Sequence, residues 1–306
     1  MDDDNKYIRF DWAVKRMLRD KANFGVLEGL ITVLLDEPVH IKQILESEGN
    51  QEAADDKFNR VDIKAENSKG EIIIVEIQLT RELYYLQRIL YGVSKAITEH
   101  IHLGERYNQV RKVYSISIVY FDLGEGSDYL YHGYTQFVGV HTHDTLKINS
   151  RDKKIIEMKT PEKVFPEYFI IRVNEFNKVA KTPLEEWIDY IKTGRIKDNT
   201  TAPGLQEAKR RLQVMKMSKT ERQAYDRHID AIMVQNDVLD TAKRDGHEEG
   251  LAEGRAEGLA EGLAKGKAEG VKETNVGIAK KMKDMGMSFD IIAQLTGIGE
   301  DEIIKL

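Results

Sequence analysis

The sequence predicts a mixed α/β domain followed by an all-helical C-terminal region, in a chain of 306 residues. Three observations support this fold class. An apolar helical pattern comes before three β-branched strand patterns, and a second helix separates these from a further strand. After about residue 180 the sequence becomes highly charged and helical in pattern. The order helix, three strands, helix, strand is typical of a small mixed sheet flanked by helices.

Each element of the α/β part has its own signal. Residues 7–36 predict a helix because apolar residues recur at helical spacing, and Pro38 ends the run. Residues 83–103 predict a second helix, which ends at Gly104. Runs rich in β-branched and aromatic residues predict strands at 39–45, 60–65, 71–79, 112–121, 129–141 and 167–173.

The C-terminal region divides by composition. A helix is predicted at 183–196, a linker at 200–204 and a charged helical segment at 205–245. The tail predicts two or three short helices, one of them capped by Ser288. We therefore expect four segments, which are an α/β domain at 1–180, a helical extension at 181–245, a glycine-repeat helix at 246–272 and a helical tail at 273–306.

A glycine stands at every fourth position of one segment: Gly246, Gly250, Gly254, Gly258, Gly262, Gly266 and Gly270. Each glycine costs a helix about 1 kcal/mol relative to alanine. Two interpretations remain open, a self-association helix that another backbone approaches closely and a semi-flexible helical spacer. The tail has a helix-turn-helix pattern, but its last helix is too acidic to enter a DNA groove.

Composition excludes several classes of protein. The chain has no cysteine, which rules out disulfides and thiolate metal sites and fits a reducing cytoplasm. The acidic N-terminus is not a signal peptide, and no apolar run is long enough for a membrane span. The net charge of −6 argues against a generally basic nucleic-acid surface, although residues 81–115 are locally basic.

Two carboxylates are predicted to meet on a β-hairpin. The strands at 60–65 and 71–79 flank a turn signal near Ser68, and Asp62 and Glu76 lie symmetrically about it. An antiparallel pairing then puts their side chains roughly 5 Å apart. Alternation assigns Asp62, Glu76 and Gln78 to one face, with Val61 among the apolar residues of the other.

Carboxylate oxygens at this spacing suit a hard divalent cation such as Mg²⁺ or Mn²⁺, and such a site can polarise a phosphodiester and activate water. The alternative is that Asp62 and Glu76 make only structural hydrogen bonds or ion pairs, with Lys57, Arg60 or Lys64 as partners.

The motifs around this acid pair resemble the PD-(D/E)XK nuclease superfamily, and more closely its recombination-promoting nuclease family of transposase-like proteins. The resemblance covers about residues 10–175 and implies a restriction-endonuclease-like core. It rests on the stretches Leu27-Glu28-Gly29-Leu30, Asp56-Lys57-Phe58-Asn59-Arg60-Val61-Asp62, Val75-Glu76-Ile77-Gln78 and Tyr91-Gly92-Val93-Ser94-Lys95-Ala96-Ile97-Thr98-Glu99-His100.

The resemblance implies a metal-dependent DNA endonuclease that hydrolyses phosphodiester bonds with a metal-activated water. Asp62, Glu76 and the Ile77 carbonyl would hold Mg²⁺, with Mn²⁺ or Ca²⁺ as substitutes. Glu28 matches the first-helix acid that many members aim at the metal, although it also fits a solvated helix residue. The expected partners are DNA and further copies of the chain in a homo-oligomer, with no membrane.

Gln78 departs from the superfamily pattern, which usually has lysine at this position. Glutamine can orient water but carries no charge for the transition state. Lys95 or Arg88 on the following helix could supply that charge, as could a second metal. The alternative function is therefore a nuclease-like module that binds nucleic acid or protein without cleaving and oligomerises through its glycine-repeat helix.

Overall fold

A computed structural model describes residues 7–46, 61–101, 104–152, 155–159 and 161–306. Two predictions lie wholly or partly outside these ranges, the polar loop at 47–56 and the motif residues 56–60. The helix expected at 83–103 is shorter, because it runs over Tyr85–Thr98 and the described residues 99–101 are not helical. Contacts divide the described residues into one compact unit that ends at Asp226 and a second at Arg227–Leu306.

Eight strands and five α-helices lie wholly within the described residues of the first unit. The strands are β1 (Ile41–Leu45), β2 (Ile63–Asn67), β3 (Ile72–Gln78), β4 (Val113–Val119), β5 (Leu130–Gly133), β6 (Ile148–Asp152), β7 (Ile155–Lys159) and β8 (Glu167–Arg172). The helices are α1 (Phe10–Arg16), α2 (Phe24–Leu35), α3 (Tyr85–Thr98), α4 (Pro183–Thr193) and α5 (Leu205–Arg211).

Six strands form a mixed sheet in the order β1-β2-β3-β4-β8-β5. The β3, β4 and β8 strands are parallel, whereas β1, β2 and β5 pair antiparallel with their neighbours. The predicted α/β class is thus confirmed. The strand expected at 129–141 is shorter, because β5 ends at Gly133, and the separate β6–β7 hairpin was not predicted.

The predicted hairpin register is confirmed. Ile63 pairs with Val75 and Lys64 with Ile74, so one further step places Asp62 level with Glu76. The turn is held by Asn67, whose side-chain oxygen accepts hydrogen bonds from the backbone of residues 69 and 71. Gly70 has φ of 78°, a left-handed conformation that glycine adopts without strain.

The helix predicted at 7–36 is two helices, α1 and α2, with a short 3₁₀ turn at Lys21–Asn23 between them. Local side-chain bonds interrupt the helix here. The Asp20 carboxylate accepts a hydrogen bond from the Ala22 backbone, and the Asn23 amide donates one to the Met17 carbonyl oxygen, 2.9 Å away. Asx side chains compete with the helical backbone in this way.

Helix α3 covers the face of the sheet that carries Glu76. One apolar cluster joins α3 to β3 and β4, and its buried members are Val61, Ile72, Ile74, Val93, Ala96 and Val113. Val61 therefore packs on the α3 face, and its predicted assignment to the opposite face is wrong. Alternation constrains side chains only within a strand, and Val61 precedes the start of β2 at Ile63.

Helices α4 and α5 pack on α2. The backbone of α2 at Gly29 touches the loop at Pro203 and Gly204 so closely that a Cβ at Gly29 would overlap it. The buried Trp187 indole on α4 donates a hydrogen bond to the Pro203 carbonyl oxygen at 2.8 Å. This contact fixes the loop against α2.

Helix α6 (Lys219–Asp284) contains the whole glycine repeat. In the second unit it is followed by α7 (Phe289–Thr296), which has Ser288 at its N-cap as predicted, and α8 (Glu300–Lys305). These helices share a small buried cluster of Ala279, Ile292, Ile298 and Ile303. Among the described residues, no helix is both long and apolar enough to span a membrane.

Candidate metal centre

Glu76 is a buried carboxylate near the end of β3. It is 7 % exposed, and its Oε1 lies 3.2 Å from a terminal guanidinium nitrogen of Arg88 on α3. Of the two cations expected on this helix, Arg88 is thus the one in contact with the acid. A buried carboxylate needs a partner of this kind, because an unpaired charge away from water is costly.

Asp62 immediately precedes β2, and two contacts fix it there. Its Oδ2 accepts a hydrogen bond of 2.7 Å from the Ile77 backbone nitrogen, so the side chain bridges the two strands. Its carbonyl oxygen accepts hydrogen bonds from Arg19, the shorter of them 2.7 Å. The Asp62 charge is close enough to Glu76 to disfavour ionisation of that carboxyl.

Gln78 and Arg88 share a third acid, Glu82. The Gln78 amide nitrogen lies 3.1 Å from Glu82 Oε1, and the second terminal nitrogen of Arg88 lies 2.5 Å from the same oxygen. Gln78 also donates to the Thr80 carbonyl oxygen at 3.1 Å. The residue that replaces the usual lysine is therefore linked, through Glu82, to a cation on the neighbouring helix.

Burial raises the pKa of Glu76 above its ordinary value, and repulsion from Asp62 and Glu82 acts in the same direction. Attraction to Arg88 lowers the pKa of Glu76 but does not cancel the other effects. The protein thus holds a carboxylate in a place where its negative charge is not fully compensated. Carboxylates with pKa values perturbed in this way are frequent at functional sites.

Replacing Glu76 by glutamine should stabilise the metal-free protein at pH 7 by about 1 kcal/mol. Because the pKa of Glu76 is raised, the folded state binds more protons than the unfolded state just above the ordinary carboxyl pKa. The stability of the wild type therefore falls as pH rises through that window. Urea unfolding at pH values from roughly 4 to 8 measures the free energy of unfolding across this window. The variant should lack the decrease in stability that the wild type shows as pH rises.

Glu66→Gln is a control for which we expect a change in stability of the opposite sign. Lys42, Gln43 and Arg111 bond to Glu66 and lower its pKa to about 2. Ionised Glu66 therefore stabilises the fold above the ordinary carboxyl pKa, and its loss should destabilise the protein at pH 7. Destabilisation by Glu76→Gln equal to that of Glu66→Gln would contradict our interpretation of Glu76.

Two other predicted site residues are not brought to the acid pair. Glu28 on α2 accepts a hydrogen bond of 2.7 Å from the Ile41 backbone nitrogen. Ile41 pairs with Asn67, which lies about 16 Å along β2 from Asp62. Lys95 lies on α3 about 10 Å further along the helix axis than Arg88. A role for Glu28 or Lys95 in the chemistry stays a prediction.

The residues at the acid pair suit a hard divalent cation. Asp62 and Glu76 supply carboxylate oxygens whose mutual repulsion a cation would relieve. Mg²⁺ is commonly held by one or two carboxylates and completes its shell with water and substrate oxygens. In the part of the chain that the structure describes, no group of three or more His, Cys, Asp or Glu side chains could hold a metal by itself.

Two residues at the site, Arg19 and Glu82, were missed from sequence alone. Arg19 reaches Asp62 across 43 positions, and no local pattern predicts such a contact. Glu82 follows Gln78 by four residues and bonds to it. This spacing would predict a contact only if the sequence also showed that the chain turns between the two residues. Tyr85 on α3 is a core residue, and its pKa is raised mainly by burial, with the charge of Glu76 acting in the same direction.

Together, the mixed sheet, the acid pair across a hairpin and the covering helix define a nuclease-like α/β protein. Comparison with known families agrees, because residues 8–242 match the family described as PD-(D/E)XK nuclease family transposase. The chain belongs to this family. No curated protein and no solved structure matches it significantly.

Proposed function

We propose that this chain is a Mg²⁺-dependent endonuclease that hydrolyses phosphodiester bonds of DNA in the cytoplasm. The observation that supports it most directly is the pair Asp62 and Glu76, level with each other across the hairpin of β2 and β3, with the Arg88 cation against Glu76. Membership of the nuclease family supports the same reaction class. A connection to recombination, mobile elements or defence is part of this proposal.

Each side chain of the proposed site has a distinct task. Asp62 and Glu76 hold the metal, with the Ile77 carbonyl as a further ligand. Bound Mg²⁺ supplies Lewis acidity, which activates water and stabilises charge on the phosphate. Arg88, with its side chain 34 % exposed, can offer a guanidinium to a phosphate at the surface. Gln78 can orient a water molecule, and Arg88 provides the charge that Gln78 lacks.

Nicking of supercoiled plasmid tests the proposed reaction. The purified chain should convert plasmid to open circles in Mg²⁺ or Mn²⁺, and excess chelator should stop the conversion. The test needs both metals, because Mn²⁺ binds carboxylate sites more tightly than Mg²⁺. A chain that binds metal but leaves the plasmid intact in both would contradict the endonuclease assignment.

The second candidate function is a binding module that does not cleave. It is favoured by Gln78, whose amide is already bonded to Glu82 and to the Thr80 carbonyl oxygen. Metal uptake separates the two functions, because only the nuclease needs a cation at Glu76. If calorimetric titration with Mn²⁺ detects no binding while the chain still binds DNA, the second function is the correct one.

We further propose that the chain forms a homo-oligomer through the glycine repeat of α6. A Cβ added at any repeat glycine would meet nothing within 4 Å, so this stripe is open to another backbone. Leu259 and Leu263 beside it are 66 % and 67 % exposed. Four residues advance a helix by about 400°, so the stripe drifts by about 40° per glycine. A straight partner can therefore follow it over only a few glycines.

Changing Gly254, Gly258 and Gly262 together to alanine should strengthen α6 but dissociate the oligomer. The helix gains about 1 kcal/mol per substitution, whereas three methyl groups keep the partner backbone away. Light scattering should show a lower molecular mass although circular dichroism shows no loss of helix. Gly277→Ala, in the same helix but outside the four-residue repeat, is the control and should leave the mass unchanged. An unchanged mass in the triple variant would favour the spacer interpretation.

A further inference from the structure

One carboxylate oxygen at the candidate centre accepts hydrogen bonds from two site residues. Glu82 Oε1 is 2.5 Å from Arg88 and 3.1 Å from the Gln78 amide nitrogen. These residues come from different elements, since Gln78 ends β3 and Arg88 lies in α3. Glu82 lies in the connection between them and joins the end of the strand to the helix.

Arg88 is divided between two acids. Its contact with Glu82 is 2.5 Å long, whereas its contact with Glu76 is 3.2 Å long. Charge-assisted hydrogen bonds weaken with distance, so the shorter hydrogen bond to Glu82 holds the guanidinium more closely than the longer one to Glu76. The charges of Glu76 and Glu82 both attract the Arg88 guanidinium. Glu82 therefore draws the guanidinium away from Glu76.

A metal at Glu76 competes with Arg88 for the same carboxylate. A guanidinium held tightly against Glu76 would neutralise the ligand and repel a divalent cation. A guanidinium held mainly by Glu82 leaves Glu76 available and stays close enough to meet a phosphate. The position of Arg88 thus affects both metal affinity and the supply of positive charge to the substrate.

We propose that Glu82 is a positioning residue, which controls metal binding at Glu76 by holding Arg88 aside. The inference rests on the proposed function, because it assumes a metal at Asp62 and Glu76. Glu82 acts through Arg88 and does not touch the metal. Its second bond, to Gln78, links the end of β3 to the same carboxylate.

Metal affinity of four proteins tests this inference without any need for turnover. They are the wild type, Glu82→Gln, Arg88→Gln and the double variant, each titrated with Mn²⁺ and followed by the paramagnetic signal of free Mn²⁺. Glu82→Gln should weaken binding about fivefold, because Arg88 then pairs fully with Glu76. Arg88→Gln should strengthen it by about the same factor, because the competing cation is gone.

The double variant separates an action through Arg88 from direct coordination. If Glu82 acts through Arg88, the double variant should bind Mn²⁺ as Arg88→Gln does. If Glu82 is itself a ligand, its loss should weaken binding equally in both backgrounds, and the inference is overturned. Asp122→Asn, an exposed acid that follows β4 at the same sheet edge, controls for the general loss of one negative charge.

The remaining outcomes are also decisive. If the wild type binds Mn²⁺ and Glu82→Gln binds it equally well, the positioning role is wrong and the proposed metal site stands. If the wild type binds no Mn²⁺ at all, the proposed function fails first, and this inference fails with it. Failure of the inference and failure of the function on which it rests are therefore distinguished by the wild-type titration.

Discussion

Replacing Asp62 by alanine should reduce plasmid nicking by roughly a hundredfold or more. Loss of a single preorganised electrostatic contact commonly costs about 10²–10³ in rate. Asp62 is one of two carboxylates expected to hold the metal, and Glu76 alone would have to hold it against the neighbouring Arg88. Initial nicking rates in Mg²⁺, compared at equal protein concentration, measure the effect.

Asp62→Asn makes the test specific for charge. Asp62 also accepts a hydrogen bond from the Ile77 backbone nitrogen, so alanine could lower activity by loosening the hairpin. Asparagine keeps an oxygen for this bond and removes only the negative charge. Both variants should be inactive while Asp122→Asn, at the same sheet edge, keeps its activity. An active asparagine variant would show that Asp62 has a structural role alone.

The hairpin was predictable because its signals are local. A turn sequence, two β-branched runs and strict alternation fix the pairing of Ile63 with Val75, and the structure has that register. The same reasoning was wrong for Val61, because the chain there is not yet a strand. The split of the first helix was also missed, since it depends on side-chain bonds of Asp20 and Asn23 that compete with an otherwise helical pattern.

The site was predictable only in part, for a related reason. The register of the hairpin places Asp62 level with Glu76, one step beyond the pair of Ile63 and Val75, and sequence symmetry reveals this register. Contacts between distant elements leave no such pattern, and Arg19 reaches Asp62 only because the fold places it there. Glu28 matched a family motif, yet its carboxylate bonds to the Ile41 backbone, level with the far end of β2. Residue type and spacing identify candidates, and packing decides which of them meet.

The second large effect concerns Gly29, which the family motif contains but the chemistry does not use. Gly29→Ala should lower the free energy of unfolding by about 1–3 kcal/mol, the usual cost of forcing extra atoms into a packed interior. The added Cβ would overlap the carbonyl oxygen of Pro203 and the backbone of Gly204. That loop cannot retreat easily, because Trp187 is buried and bonded to the Pro203 carbonyl oxygen.

Gly25→Ala is the matched control, one helical turn earlier on α2. A Cβ at Gly25 would lie 3.7 Å from Cγ of Glu207, an ordinary van der Waals contact. The control should therefore be neutral or should gain up to about 1 kcal/mol from helix propensity. Urea unfolding of both variants measures the difference. Equal stabilities would mean that the Pro203 loop moves to accommodate the added Cβ with no loss in the free energy of unfolding. A large difference would show that this contact holds the loop at Pro203 and Gly204 against α2.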